Sequence, residues 1–380
     1  MTKTNFIPLS RPYTGAEELD NLSSCLKSEK LSGDGEYTKL CEKQLQDDCG
    51  ADRVLLTTSC TAALELCAHL LDVGPDDEVI LPSFTFVSTA NAFVLRGAKP
   101  VFADIEPDTL NLDPADVARK ITPATKIIVA VHYAGVACNM TALNQLAEQH
   151  GVNIVEDAAQ GVTSRWKDRC LGTIGTLGSF SFHDTKNFTS GEGGALLVNR
   201  RALEERAEIL REKGTNRQQF IMGNVDKYTW MDVGSSYIPS ELNAAVLYAQ
   251  LQKVRQITAL RKRAHEFYDE LLRPLCDRGM VEQPVIPEYA VSNYHLYAIR
   301  LADAAVRDGM MAHLNANGIG ATFHYIPLHT SPMAINLGVS RDDLPVTESA
   351  AARLLRLPLY AGISEDQQLR VVRTMSEYLA

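Results

Sequence analysis

No stretch of this 380-residue chain stays apolar long enough to span a bilayer, which excludes a helical membrane protein. The opening residues, Met1 to Pro8, lack the basic-then-apolar pattern of a signal peptide, so a cytoplasmic protein is expected. The eight cysteines (Cys25, Cys41, Cys49, Cys60, Cys67, Cys138, Cys170, Cys276) contain no Cys-x-x-Cys pair. They read as reduced thiols, neither a disulfide framework nor a zinc site. The nine histidines show no metal-ligand spacing, and no metal is expected. Basic residues are in deficit: 37 Lys and Arg against 47 Asp and Glu leave a net charge of −10. That balance disfavours nucleic acids and anionic membranes as partners. Internal repeats and low-complexity segments are missing too.

What remains is the composition of a globular enzyme, 45% hydrophobic and 22% charged. The length exceeds one typical core, so two domains are expected, 1–250 and 251–380. Apolar, strand-like runs occur at Val54–Thr57, Glu78–Pro82, Pro100–Ile105, Lys126–Tyr133, Val152–Ala158, Leu177–His183 and Ala195–Asn199. Several are continuously apolar, as in strands covered on both faces. Helical patterns such as Thr61–Leu71 and Met140–His150 separate them. This is the α/β signature of a mostly parallel sheet, whose ligands gather at the carboxyl ends of the strands. Leu242–Leu272 predicts one long helix leaving the first domain, and Pro284–Pro287 a linker. Strand-like Tyr294–Leu301, helical Val306–Asn317, strand-like Gly320–Ile326 and helical Ser364–Tyr378 then predict a smaller α+β domain.

The candidate chemistry centres on Lys186, in Phe180-Ser-Phe-His-Asp-Thr-Lys186-Asn-Phe-Thr-Ser-Gly-Glu-Gly-Gly194. A lysine between two buried runs loses hydration, which lowers its pKa and frees the amine to attack a carbonyl. A Schiff base with pyridoxal phosphate needs such a lysine. Leu55-Leu-Thr-Thr-Ser59-Cys60-Thr61 reads as strand, turn and helix start, where backbone N–H groups can hold a phosphate or where a serine simply caps the helix. In Pro82-Ser-Phe84-Thr-Phe86 one ring can stack on a flat cofactor while the other belongs to the core. Glu156-Asp157-Ala-Ala-Gln160 ends a strand with two acids and an amide; one carboxylate can meet a protonated pyridine nitrogen. Alternation alone leaves open which. Ser181 can add a hydroxyl to a phosphate site. Phe323-His324-Tyr325-Ile-Pro-Leu-His329 suggests a polar substrate-facing loop, and the turn Ser32-Gly-Asp34-Gly-Glu36 is a second candidate substrate contact.

These motifs, in this order, resemble the DegT/StrS-type sugar-nucleotide aminotransferases. The resemblance rests on Ser59-Cys-Thr-Ala-Ala-Leu64, Pro82-Ser-Phe-Thr-Phe86, Val131-His-Tyr-Ala-Gly135, Glu156-Asp-Ala-Ala-Gln160, Phe180-Ser-Phe-His-Asp-Thr-Lys186 and Glu192-Gly-Gly194. It implies the fold type I aminotransferase architecture, with a mostly parallel seven-stranded sheet and a small C-terminal domain. It also implies pyridoxal phosphate linked to Lys186, Asp157 at the pyridine nitrogen, Gln160 at the ring hydroxyl and Phe86 stacked on the ring. Ser59, Cys60, Thr61 and Ser181 would hold the phosphate. Asp34, His324, Tyr325 and His329 would meet the substrate. A homodimer with shared sites is implied, with Ser236 reaching across where many relatives carry asparagine. Further words, Lys30-Leu-Ser-Gly-Asp-Gly35, Arg211-Glu-Lys-Gly-Thr-Asn-Arg217 and Phe323 to His329, are most similar to the branch that aminates C4 of dTDP-4-keto-6-deoxy-D-glucose with L-glutamate. The C4 epimer, or amination at C3 of a related sugar, is the nearest alternative. A non-catalytic nucleotide-sugar-binding protein is a further one, against which the intact lysine weighs.

Overall fold

The computed structural model describes residues 6–339 and 343–380; the first five residues, on which part of the leader reading rests, lie outside the described residues. Seven strands form the main sheet: β1 (Arg53–Thr57), β2 (Glu78–Pro82), β3 (Lys99–Ala103), β4 (Thr125–Val131), β5 (Asn153–Asp157), β6 (Leu177–Ser181) and β7 (Gly194–Val198). Each falls on one of the apolar runs. Their spatial order is β1-β7-β6-β5-β4-β2-β3, and β7 alone runs against its neighbours. The fold is therefore α/β with a mostly parallel seven-stranded sheet, as in fold type I aminotransferases.

The continuous apolar character of the strands follows from double coverage. Val54, Leu56, Ile80, Ile128 and Ile154 face one buried cluster, while Leu55, Val79, Leu81, Ile127, Val129 and Val155 face another. The first is covered by α2 (Glu36–Cys49), α5 (Met140–His150) and α7 (Glu241–Gln252), and the second by α3 (Cys60–Leu70), α4 (Val87–Val94) and α6 (Glu204–Arg211). (α1 is Ala16–Lys27, packed on α7.) A third cluster joins α8 (Val254–Asp277), α9 (Ala304–Ala316), α10 (Glu365–Leu379) and a two-stranded sheet of β8 (Tyr297–Arg300) and β9 (Leu354–Leu357). Ile7 enters this cluster from the other end of the chain. Among the described residues no helix is long and apolar enough to cross a membrane.

Two expectations are corrected. Leu242–Leu272 is two helices, α7 and α8, because Lys253 leaves helical angles at φ −100°, ψ 7°. Its ammonium is tied to Glu18, and to Glu17 at 3.5 Å, both on α1. Gly320–Ile326 is not a strand: only Thr322 bridges, to Arg356. The consecutive residues His324 and Tyr325 both turn toward the seven-stranded sheet, onto Tyr133 and Gln160 respectively, which strand alternation does not permit.

The strand β5 carries the strongest polar junction of the sheet. Glu156 is fully buried and accepts from the backbone N–H groups of Gly172 (2.8 Å), Ile174 (2.5 Å) and Gly175 (2.6 Å). His132 Nε2 lies 2.9 Å from the same carboxylate, while the Cys138 N–H donates to His132 Nδ1 at 3.1 Å, so the imidazole proton sits on Nε2. Glu156→Gln keeps the shape but replaces one acceptor oxygen with a donor facing buried donors. It is expected to lower unfolding stability by about 3 kcal/mol, measured as a reduced urea midpoint at unchanged slope.

Candidate active site

The parallel strands β1, β2, β4, β5 and β6 deliver their carboxyl ends to one edge of the sheet, and β7 begins there. At the end of β1, Ser59 caps α3: its Oγ accepts from the Ala62 N–H at 3.1 Å. The N–H groups of Cys60 and Thr61 begin the helix and have no carbonyl one turn earlier to bond. β7 passes directly behind this turn. A Cβ on Gly194 would stand 2.3 Å from Ser59 C and 2.4 Å from Cys60 N, so only glycine allows the approach. Thr61 Oγ1 donates to Ser88 Oγ at 2.8 Å, and Ser88 is the second residue of α4. Two helix N-termini and two hydroxyls thus meet, an arrangement suited to a phosphate. Ser88 was not singled out in the sequence; its position at a helix start was the available signal.

Alternation along β5 assigns the two acids. Ile154 belongs to the cluster under α2 and Val155 to the cluster under α3 and α4, so Glu156 turns with Ile154 and Asp157 with Val155. Asp157 is buried, accepts from Thr89 Oγ1 of α4 at 2.7 Å and from the Ala159 N–H at 3.2 Å, and meets no cation among the described residues. Thr89 in turn contacts Thr85 at 2.9 Å. A carboxylate held this way has room for a cationic partner from a ligand. The phenylalanines divide as cleanly. Phe84 is 1% exposed and packs on Tyr133 with ring centroids 5.2 Å apart, whereas Phe86 is 58% exposed at the N-cap of α4.

Lys186 lies five residues beyond β6, and it borders a narrow internal gap together with Ser181, Gln160, Asn187, Asn293 and His295. Its amine makes no hydrogen bond or ion pair with any described residue. Burial pushes the ammonium below the ordinary lysine range; the Asp157 charge opposes this and Arg356 reinforces it. Cys60 also lies near, but burial raises its thiol well above the ordinary range, so it remains neutral beside Lys186. The pocket wall is stiff. Asn293 Nδ2 donates to the carbonyls of Gln160 and Val162, both at 2.8 Å, and Asn187 donates to the Asn293 carbonyl at 2.9 Å. Gln160 accepts from the Ala134 N–H at 2.7 Å and donates to Tyr325 Oη at 3.0 Å. His324 Nδ1 is 3.2 Å from Tyr133 Oη, and burial together with Arg356 pushes its pKa down to about 2.

The structure thus brings together Cys60, Thr61, Asp157, Gln160, Ser181, Lys186, His324 and Tyr325, with Phe86 at the rim. Three other predicted residues have different engagements. Asp34 binds Arg211 and Gln218, each at 2.8 Å. His329 is buried, with Nδ1 2.6 Å from Ser83 Oγ and Nε2 3.2 Å from Glu348. Ser236 is exposed and bridges Glu212.

The family model described as the DegT/DnrJ/EryC1/StrS aminotransferase family matches residues 12–376. The spore coat polysaccharide biosynthesis protein SpsC of Bacillus subtilis is 32% identical over 383 residues, covering 99% of this chain and 97% of SpsC. Aminotransferase TlmJ from Streptoalloteichus hindustanus superposes with a TM-score of 0.91 at 33% identity, over 98% of this chain and 99% of TlmJ. Spr1654 from Streptococcus pneumoniae, solved in a PLP form and a PMP form, gives TM-scores of 0.90 and 0.91 at 26% identity over 98% of both chains. The free lysine amine, the buried acid without a cation and the paired helix N-termini fit that cofactor. The chain belongs to the DegT/DnrJ/EryC1/StrS aminotransferase family and is a sugar aminotransferase dependent on pyridoxal phosphate.

Proposed function

We propose that the chain transfers the amino group of L-glutamate to C4 of dTDP-4-keto-6-deoxy-D-glucose, giving dTDP-4-amino-4,6-dideoxy-D-galactose and 2-oxoglutarate. The observation that carries the transamination is the buried Lys186 amine, without a partner among the described residues and beside Ser181 and Gln160. The sugar and nucleotide rest on the sequence words at Lys30–Gly35, Arg211–Arg217 and Phe323–His329, which resemble those of the C4-aminating branch.

On this reading the N–H groups of Cys60 and Thr61 and the hydroxyls of Thr61, Ser88 and Ser181 hold the cofactor phosphate, and Ser59 fixes the turn that aims them. Phe86 would stack on the ring and Gln160 would meet the ring hydroxyl. Asp157 keeps the ring nitrogen protonated. Pyridoxal phosphate, when bound, supplies the electron sink that stabilises charge at a carbon losing its proton. Lys186, its pKa lowered by burial, takes the proton from the glutamate α-carbon and delivers one to sugar C4. His324 and Tyr325 face the sugar. Asp34 and His329 act at one remove: Asp34 holds Arg211 in place, and His329 holds the segment after Tyr325 onto Ser83.

We further propose a homodimer whose partner covers the apolar surface between Phe220 and Val233. Ile221, Met222, Trp230 and Met231 are all exposed there, and Ser236 follows directly.

Lys186→Ala is expected to lower turnover by on the order of 10²–10⁴-fold, with the fold intact by circular dichroism; full turnover would refute the lysine's role. Incubation with glutamate and dTDP-4-keto-6-deoxyglucose should give a product whose H3–H4 NMR coupling is small, as the galacto configuration requires. A large coupling would identify the gluco epimer, and a shifted amination site the C3 enzyme. Sedimentation velocity should show a dimer that Trp230→Asp converts to monomer.

A further inference from the structure

Arg356 sits in the middle of β9, in the run Leu354-Leu-Arg-Leu357, and the alternation of that strand decides where it points. Leu355 and Leu357 enter the cluster of Tyr268 and Met310. Leu354 turns the other way, into a cluster with Phe84, Tyr133, Leu296 and Ala298. Arg356 shares the face of Leu354, and its register partner across β8 is Ala298, a member of that same cluster. Its backbone N–H donates to the Thr322 carbonyl at 2.8 Å, two residues before His324. The guanidinium is therefore carried to the side of the domain that faces Tyr133, Tyr325 and Lys186.

No described residue satisfies it. The side chain makes no hydrogen bond, ion pair or ring contact, and its Nε is buried without a partner. Its charge is nonetheless felt across the site, lowering the pKa values of Lys186, His295 and His324. A second buried guanidinium, Arg261, donates to the carbonyls of Tyr294 (3.0 Å), His295 and Leu359 (3.4 Å) and meets no carboxylate. Asp157, the acid closest in influence to Lys186, is already held by Thr89 and Ala159. The wall near Lys186 thus carries positive charge in excess. A partly buried cation without a counter-ion is costly, and a guanidinium fork matches a carboxylate in two parallel hydrogen bonds.

We propose that Arg356 is the seat for the α-carboxylate of the amino donor, a proposal that rests on the transamination reading above. Three anionic groups visit this pocket in that chemistry: the donor's α-carboxylate, its γ-carboxylate two carbons farther from the reacting atom, and the nucleotide diphosphate. The α-carboxylate is bonded directly to the carbon whose proton Lys186 moves, whereas the nucleotide diphosphate hangs from C1, across the sugar ring from C4. A cation whose field reaches Lys186 suits the first.

The test uses the cofactor-loaded enzyme, Arg356→Gln and Arg356→Lys. Glutarate, which has the carboxylates but no amino group, is titrated by calorimetry. Its affinity should fall roughly 10–100-fold in R356Q and partly recover in R356K. R356Q should melt no lower than the parent, because it removes a charge that has no partner. In single-turnover absorbance measurements the glutamate half-reaction should weaken by a similar factor, with the keto-sugar half-reaction changed by less than about threefold. Unchanged glutarate and glutamate affinities in R356Q overturn the proposal. So does selective loss of the sugar half-reaction, which places the diphosphate on Arg356 instead, and so does a large drop in melting temperature. If the parent enzyme aminates no keto sugar, the functional reading fails, yet the glutarate titration, which needs no turnover, still decides Arg356.

Discussion

The site depends on the last two residues of β5 projecting through opposite faces of the sheet. Glu156 goes to one side and becomes a fixed structural anion, saturated by three backbone donors and His132. Asp157 goes to the other, beneath α4, where it receives only Thr89 and its own turn. A one-residue slip of β5 would exchange these environments. It would place a saturated carboxylate in the pocket and bury an under-satisfied one in the core. The Glu156 junction holds β5 in register by tying it to the 172–175 turn, so the saturated acid protects the position of Asp157.

The rest of the pocket follows from what a parallel sheet must do at its carboxyl edge. Each strand ends in a turn that opens a helix, and each such helix presents free N–H groups. Here α3 and α4 open side by side, joined by the Thr61–Ser88 contact, and Gly194 lets β7 close the gap behind them. Lys186 emerges from the hairpin between β6 and β7, so the same antiparallel strand that backs the α3 turn also anchors the lysine loop. The α3–α4 corner and the amine are positioned by one piece of backbone.

Much of this was legible in the sequence because double-sided burial writes long apolar runs, and all seven strands left one. The Phe84–Phe86 and Glu156–Asp157 choices were not, because assigning a face requires knowing which layer each neighbour joins. The segment Gly320–Ile326 read as a strand from its composition. In the fold, His324 and Tyr325 follow contacts to Tyr133 and Gln160 that are 191 and 165 residues distant in sequence. Asp34 and His329 looked like free polar groups for the same reason; their partners Arg211 and Glu348 carry no local signature. Arg356 was hidden inside a short apolar run whose pattern, taken alone, is that of any edge of a core.

A pocket serving two unlike substrates in turn must recognise each without repelling the other. The polar groups around Lys186 divide in a way that allows it. His324 and His295 are held neutral by burial and by the nearby cations, and burial keeps Tyr133 and Tyr325 protonated. They are uncharged hydrogen-bonding partners, suited to sugar hydroxyls and indifferent to charge. The fixed charge is concentrated on Arg356 and Arg261, which belong to β9 and α8. On the proposed reading, the large domain fixes the cofactor, and the elements packed around β9 distinguish an amino acid by its carboxylate from a sugar by its hydroxyls. Burial lowers the lysine pKa, Asp157 opposes that shift, and the Arg356 charge adds to it. On the proposed reading one guanidinium then serves twice, seating the donor carboxylate and adding to the downward shift that burial imposes on the amine.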